Sequence, residues 1–154
     1  MYKMKKILFT IICAFMVFAS NAQDLNSKGD NILGNYLSIK DGGKSKIKIT
    51  KAADGTYTAQ VYWVEKALDA NGNKRKDVKN PDKSLRNVDL DKVILVKGLK
   101  YDAKGKEWTD TKIYDPGSGK IYSVDIEFKD AKTLKVYGNI LGIGKTVYWT
   151  RIEE

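Results

Sequence analysis

Eight stretches of the chain alternate apolar and polar residues with a period of two, and most links between them are so short that each stretch must fold back on the one before. Lys44 to Lys51 sets the pattern, with Lys44, Lys46 and Lys48 on one face and Ile47 and Ile49 on the other, as in a strand with one wet side. Tyr57, Ala59, Val61 and Trp63 repeat it after Asp54-Gly55. Further strands are expected over residues 34–39, 93–100, 107–113, 120–129, 133–140 and 145–152. The links carry hairpin chemistry: Asp41-Gly42-Gly43, Asp54-Gly55, Asp102 to Gly105, Asp115 to Gly119 and Gly142 to Gly144. No amphipathic helix of three turns stands between them, so the crossovers that parallel strands need are missing. The expectation is an all-β fold, a single antiparallel up-and-down barrel of about eight strands, with a β-sandwich as the alternative. An eight-stranded barrel is just wide enough to be filled by side chains or to hold one small ligand.

The barrel is expected to occupy residues 23–154 as one domain. Ahead of it, Lys3, Lys5 and Lys6, an apolar run from Ile7 to Ala19, and Ser20-Asn21-Ala22 read as a signal peptide over residues 1–22, cleaved after Ala22. The run is shorter than the roughly 20 residues a membrane-spanning helix needs, so no transmembrane segment is expected and the protein should be secreted or periplasmic. Cleavage would remove Cys13, the only cysteine, which lies within the apolar run rather than at its end, as an acylated cysteine would. It would also lower the formal charge from +9 to +6. The remaining basicity suits an anionic envelope surface. Nucleic acid is not expected as a partner, because the lysines scatter instead of forming a stripe with aromatics between them. Gln23 to Asn31 is polar and reads as a frayed N-terminal segment.

Glu65 to Lys92 breaks the rhythm, since loops beyond about 12–15 residues are uncommon in compact domains and are usually functional or disordered. It carries Asn71-Gly72-Asn73, a tight turn, and Asn80-Pro81-Asp82, where Asn80 is expected to cap a helical turn starting at Pro81, with Leu85 and Val88 on one side. That turn would lie across a barrel mouth as a lid or a plug. Trp63, directly before the loop, would stand at the same mouth, where an aromatic ring can stack on a sugar or hold an acyl chain. Arg86 could pair with a ligand carboxylate or phosphate, or with Asp82 or Asp89 nearby.

The chain contains no histidine, which removes the commonest general base and metal ligand at neutral pH. With Cys13 cleaved, zinc sites and Ser-His or Cys-His nucleophiles go too, and neither cofactor nor metal is expected. Asp77, Asp82 and Asp115 are the carboxylates a glycan hydrolase would need, although Asp115 before Pro116 also suits a turn. The chain is therefore expected not to be an enzyme, but to bind a small lipid-like or glycan ligand through Trp63, Asn80, Asp82, Arg86, Tyr114 and Asp115. An envelope interaction protein with no internal ligand is the alternative.

Lys76 to Asp82 with Leu85-Arg86-Asn87, Lys112 to Pro116 with Gly119 to Tyr122, Leu134 to Gly138, and Trp149-Thr150-Arg151 together resemble an uncharacterised family of small secreted bacterial proteins, a domain of unknown function. A weaker resemblance is to lipocalin-like barrels, which carry Gly-x-Trp on the first strand and an arginine on the last. Gly34-Asn35-Tyr36 and Arg151 hold those places here, with tyrosine in place of tryptophan. The resemblance implies that Arg151 packs over Tyr36 and closes one barrel end, a contact worth about 0.5–2 kcal/mol.

Overall fold

In the computed structural model, which describes residues 25–154, the alternation resolves into eight strands: β1 (Gly34–Lys40), β2 (Gly43–Lys51), β3 (Tyr57–Val64), β4 (Ile94–Asp102), β5 (Glu107–Asp115), β6 (Lys120–Phe128), β7 (Thr133–Ile140) and β8 (Ile143–Ile152). Each pairs antiparallel with the next and β1 returns to β8, so the sheet closes as an up-and-down barrel rather than splitting into a sandwich. The expected signal segment and Cys13 lie outside the described residues. Among the described residues no helix is long and apolar enough to cross a membrane.

This connectivity sorts the links. Those after β1, β3, β5 and β7 lie at one end of the barrel, and those after β2, β4 and β6 lie at the other together with the segment that precedes β1. The second end is closed. Ile32, Tyr36, Tyr57, Leu99, Trp108, Phe128 and Leu134 pack there, each at most 3% exposed. The Trp108 ring meets Phe128 edge-on at 5.9 Å.

From Leu25 on, the polar stretch expected to fray is instead the plug of this end. A 3-10 turn over Gly29–Ile32 crosses the barrel, and its groups are tied down on every side. Asn26 donates to the Phe128 carbonyl at 3.1 Å and accepts from the Phe128 amide at 2.7 Å, while Trp108 Nε1 donates to the Gly29 carbonyl at 3.0 Å. Gly29 is needed because a Cβ there would sit 2.6 Å from the Tyr57 hydroxyl and 3.1 Å from Tyr101. Over the plug lies the Arg151 guanidinium, 5.2 Å from the Tyr36 ring and 5.3 Å from that of Phe128. It donates to the carbonyls of Leu33 and Asn31 and to the Tyr36 hydroxyl at 3.2, 2.5 and 2.8 Å, and that hydroxyl donates to the Ile32 carbonyl. Burial pushes the Tyr36 phenol up to about 12 against the opposing pull of Arg151.

The seam between β1 and β8 is short. Asn35–Ser38 pair with Ile152–Trp149, whereas β7 and β8 stay paired from Thr133 and Thr150 to the turn at Ile140 and Ile143. The β7–β8 hairpin therefore leaves the wall with six β8 residues, 143–148, outside the β1 ladder.

One expected facing is wrong. In β3 the ladder to β2 slips between Lys46, opposite Trp63, and Ile47, opposite Val61, which leaves Tyr62 as an extra residue. Such a bulge reverses the facing of everything beyond it. Val64 turns inward, and Trp63 lies on the outer wall, 39% exposed, with the Lys46 ammonium 5.5 Å from its ring.

Candidate functional site

At the open end the barrel is not filled. A cavity of about 300 Å³ reaches from the rim down to Ile47, Val136 and Trp149 of the buried core, with Val61, Leu95, Ile113 and Val147 as apolar walls. Three hydroxyls interrupt those walls: Ser38 and Ser45, which face each other across the β1–β2 ladder, and Tyr122 of β6. None of the three hydroxyls has a hydrogen-bond partner among the described residues, although Ser38 is only 6% exposed. These hydroxyls are open to the cavity, and each can donate one hydrogen bond to, and accept from, a polar group inside it.

The rim is charged. Lys40 and Asp115 form an ion pair at 2.6 Å, and Ser118 donates to the same carboxylate oxygen at 2.8 Å. Burial pushes the Asp115 carboxyl up, but the bonds from Lys40 and Ser118 outweigh it and hold the group below the ordinary carboxylate range. Lys145 of β8 also lines the rim and has no ion-pair partner among the described residues.

The long link after β3 builds part of this rim. It is an ordered strap, held by bridges at Leu68–Lys74 and Lys76–Asp89 and by two 3-10 turns, Lys83–Leu85 and Leu90–Lys92. Asn71-Gly72 makes the expected turn, with Asp69 accepting from the Asn71 and Asn73 amides at 2.9 Å. The strap is fastened by Asp77, which is 1% exposed and accepts from the Tyr114 hydroxyl at 2.7 Å and from Asn80 Nδ2 at 2.8 Å. Hydrogen bonds to a charged acceptor contribute about 1.5–3 kcal/mol each, which offsets the burial of a carboxylate. Burial and the bond to Asp77 together push the Tyr114 phenol well above its ordinary value. Lys79 then donates to the Gly117 carbonyl at 2.6 Å, joining the strap to the β5–β6 turn. Gly119 permits that approach: its φ is +72° and a Cβ there would lie 2.5 Å from the Lys79 carbonyl oxygen.

The residues singled out from the sequence divide accordingly. Tyr114 and Asp115 line the cavity. Trp63 does not, because of the bulge. Asn80, Asp82 and Arg86 shape the strap and stand away from the cavity. Asn80 does not cap a helical turn at Pro81. Its Oδ1 accepts from the Asp82 amide at 2.9 Å, and Asp82 is the cap, accepting from the Ser84 amide at 2.9 Å, because proline between them offers no N–H and the turn starts at Lys83. Arg86 donates to the Asn80 carbonyl at 2.7 Å and pairs with neither Asp82 nor Asp89. Leu85 is 45% exposed, and it is Leu90 that reaches the cavity. Of the three carboxylates weighed for hydrolysis, Asp77 fastens the strap, Asp82 caps a turn and Asp115 pairs with Lys40. Among the described residues no group of three or more acidic side chains gathers to hold a metal ion.

Ser38, Ser45, Tyr122, Lys40 and Lys145 were not singled out, yet part of the signal was in the sequence. Ser45 shares the phase of Ile47 and Ile49, and Ser38 that of Tyr36, so each is a polar residue at an inward position.

The fold has a solved counterpart. Protein HP1028 from Helicobacter pylori, described as belonging to the lipocalin family, superposes with a TM-score of 0.61 at 25% identity, over 80% of this chain and 84% of its own. The barrel is thus lipocalin-like, with Tyr36 under Arg151 at its closed end. No curated protein matches the chain. Residues 34–151, from the first residue of β1 to the arginine that closes the barrel, match a family described as an uncharacterized protein conserved in bacteria (DUF2147), and the chain belongs to that family.

Proposed function

We propose that this protein is an exported carrier of a small, single-chain amphiphile held in the open end of the barrel, where the hydroxyls of Ser38, Ser45 and Tyr122 are open to its polar groups and Lys145 to an acidic one. The observation that carries the reading is the cavity itself. One end of the barrel is packed solid, whereas the other keeps about 300 Å³ free between apolar walls. That volume lies at the lower limit of the roughly 300–1,000 Å³ usual for small-molecule sites, which favours one slim chain over a two-tailed lipid or a large planar ring. The expected signal peptide over residues 1–22 supports a role outside the cytoplasm, where apolar cargo needs a carrier to cross water.

Native mass spectrometry of the protein purified from its host's envelope, followed by solvent extraction, tests the reading. A stoichiometric fatty acid, lysolipid or similar single-chain molecule is the expected result. The companion variant is Val147→Phe, which fills the cavity from β8. It should weaken binding of a fluorescent fatty acid at least tenfold and leave the folded protein as stable as before. Equal binding by this variant would remove the cavity as the site.

A further inference from the structure

At the same end, two hairpins carry two-residue turns of the same geometry and opposite chemistry. Asp41-Gly42 joins β1 to β2 with φ of 51° and 76°, and Leu141-Gly142 joins β7 to β8 with φ of 51° and 81°. This pair of left-handed residues belongs to a type I′ turn, whose first place is favoured by Asn, Asp or Gly. Asp41 obeys the rule. Leu141 sets its Cβ against the backbone in a conformation that L residues other than Asn and Asp seldom visit, and its side chain is 96% exposed. It is unfavourable twice over and gains no contact in the folded barrel.

Its surroundings hold it out. Asn139 accepts from the Gly142 amide at 3.2 Å and donates to the Tyr137 hydroxyl, and the Tyr137 ring lies on Gly144, where a Cβ would sit 2.5 Å from a ring carbon. Residues 139–144 carry no charge, and Ile143 is 72% exposed. The hairpin leaves the wall unpaired by β1, and Lys145, the rim cation without a partner, follows directly. We infer that the tip of the β7–β8 hairpin is a membrane-docking finger, with Leu141 and Ile143 entering the headgroup–acyl boundary of a lipid layer and Lys145 meeting anionic headgroups beside the cavity opening. An apolar tip followed by a lysine suits interfacial insertion, which combines buried apolar area with attraction to anionic lipid. Strain at an exposed residue with no structural return points to a use outside the folded chain.

The docking stands apart from the carrier reading, and one experiment separates them. Co-sedimentation with vesicles of phosphatidylethanolamine and phosphatidylglycerol compares the protein with Leu141→Asn and Ile143→Thr, while a fluorescent fatty acid titrated in vesicle-free solution reports the cavity. Leu141→Asn restores the residue type the turn favours, so folding is not at risk. The expected result is vesicle binding by the parent protein, reduced at least tenfold by Leu141→Asn and by Ile143→Thr, with fatty-acid binding unchanged. Lys145→Glu should reduce binding about fivefold or more on these vesicles and leave it unchanged on vesicles lacking phosphatidylglycerol. Vesicle binding that depends on Leu141 in a protein that takes up no fatty acid would uphold the finger and remove the carrier. No vesicle binding by the parent, equal binding by Leu141→Asn, or a change in self-association in place of vesicle binding would overturn the finger.

Discussion

Arg151 at the closed end has three hydrogen bonds and two aromatic rings around one guanidinium, whereas Lys145 at the open end has no ionic partner among the described residues. Tyr36 reaches both a donor and an acceptor, while Tyr122, on the same inner surface further up, reaches neither. The two ends are made from the same eight strands, so strand geometry does not explain the contrast. What differs is the company: the segment ahead of β1 supplies carbonyls and a plug below, whereas the strap above bonds to Tyr114 and the β5–β6 turn and, among the described residues, not to Tyr122 or Lys145. Stability is concentrated where polar groups are satisfied, and vacancy where they are not.

The comparison breaks most severely at Arg151. Arg151→Ala strips three acceptors of a donor and two rings of their cover, and should lower the unfolding free energy by about 3–5 kcal/mol, read from the denaturant midpoint at unchanged slope. Arg151→Lys, which keeps the charge but loses the planar fork, should recover less than half of that loss. At the open end the strap is the strongest polar element. Tyr114→Phe removes one bond to the buried Asp77 and should cost about 1.5–3 kcal/mol, with amide exchange accelerated over the strap before the barrel strands follow.

A smaller effect separates the ends by pH. Asp115 titrates below its unfolded value in the folded protein, so its contribution is full above about pH 4 and is lost as pH falls through the lowered folded value. The stability difference between the parent and Asp115→Asn should therefore shrink as the pH drops below about 4, while the loss caused by Arg151→Ala stays nearly constant over the same range. The smallest expected effect is at Trp63. Because it lies on the outer wall under Lys46, Trp63→Ala should cost no more than about 1 kcal/mol and leave fatty-acid binding unaltered. An inward Trp63 would show the opposite, a loss of several kcal/mol and a changed cavity.

Much of this was legible in the residues. Strand number, order and most bounds followed from alternation and Asp-Gly turns, whereas the Tyr36–Arg151 closure was implied only through the resemblance to lipocalin-like barrels. The bulge at Tyr62 was not, because Tyr62, Trp63 and Val64 are all good strand formers and the sequence carries no mark of which one is extra. The fastening of the strap was also hidden, since Asp77 and Tyr114 meet across 37 residues without local signal. Asn80 and Asp82 are both natural caps on either side of Pro81, and only the start of the turn decides between them. The plug was misread for a related reason: a polar segment looks frayed until its partners, the edges of Phe128 and Trp108, are known.

The seam between β1 and β8 has a kinetic consequence. It joins residues as far apart as Asn35 and Ile152, so its loop-closure entropy exceeds that of any hairpin in the barrel, and it should be among the last contacts to form. Its ladder is four pairs long, with Ser38 and Trp149 nearest the mouth and the Arg151 clamp toward the other end. Such a seam parts like a zipper from the mouth downward and stops at the clamp. Amide exchange along this seam should therefore be fastest at Ser38 and Trp149 and slow toward the Arg151 clamp.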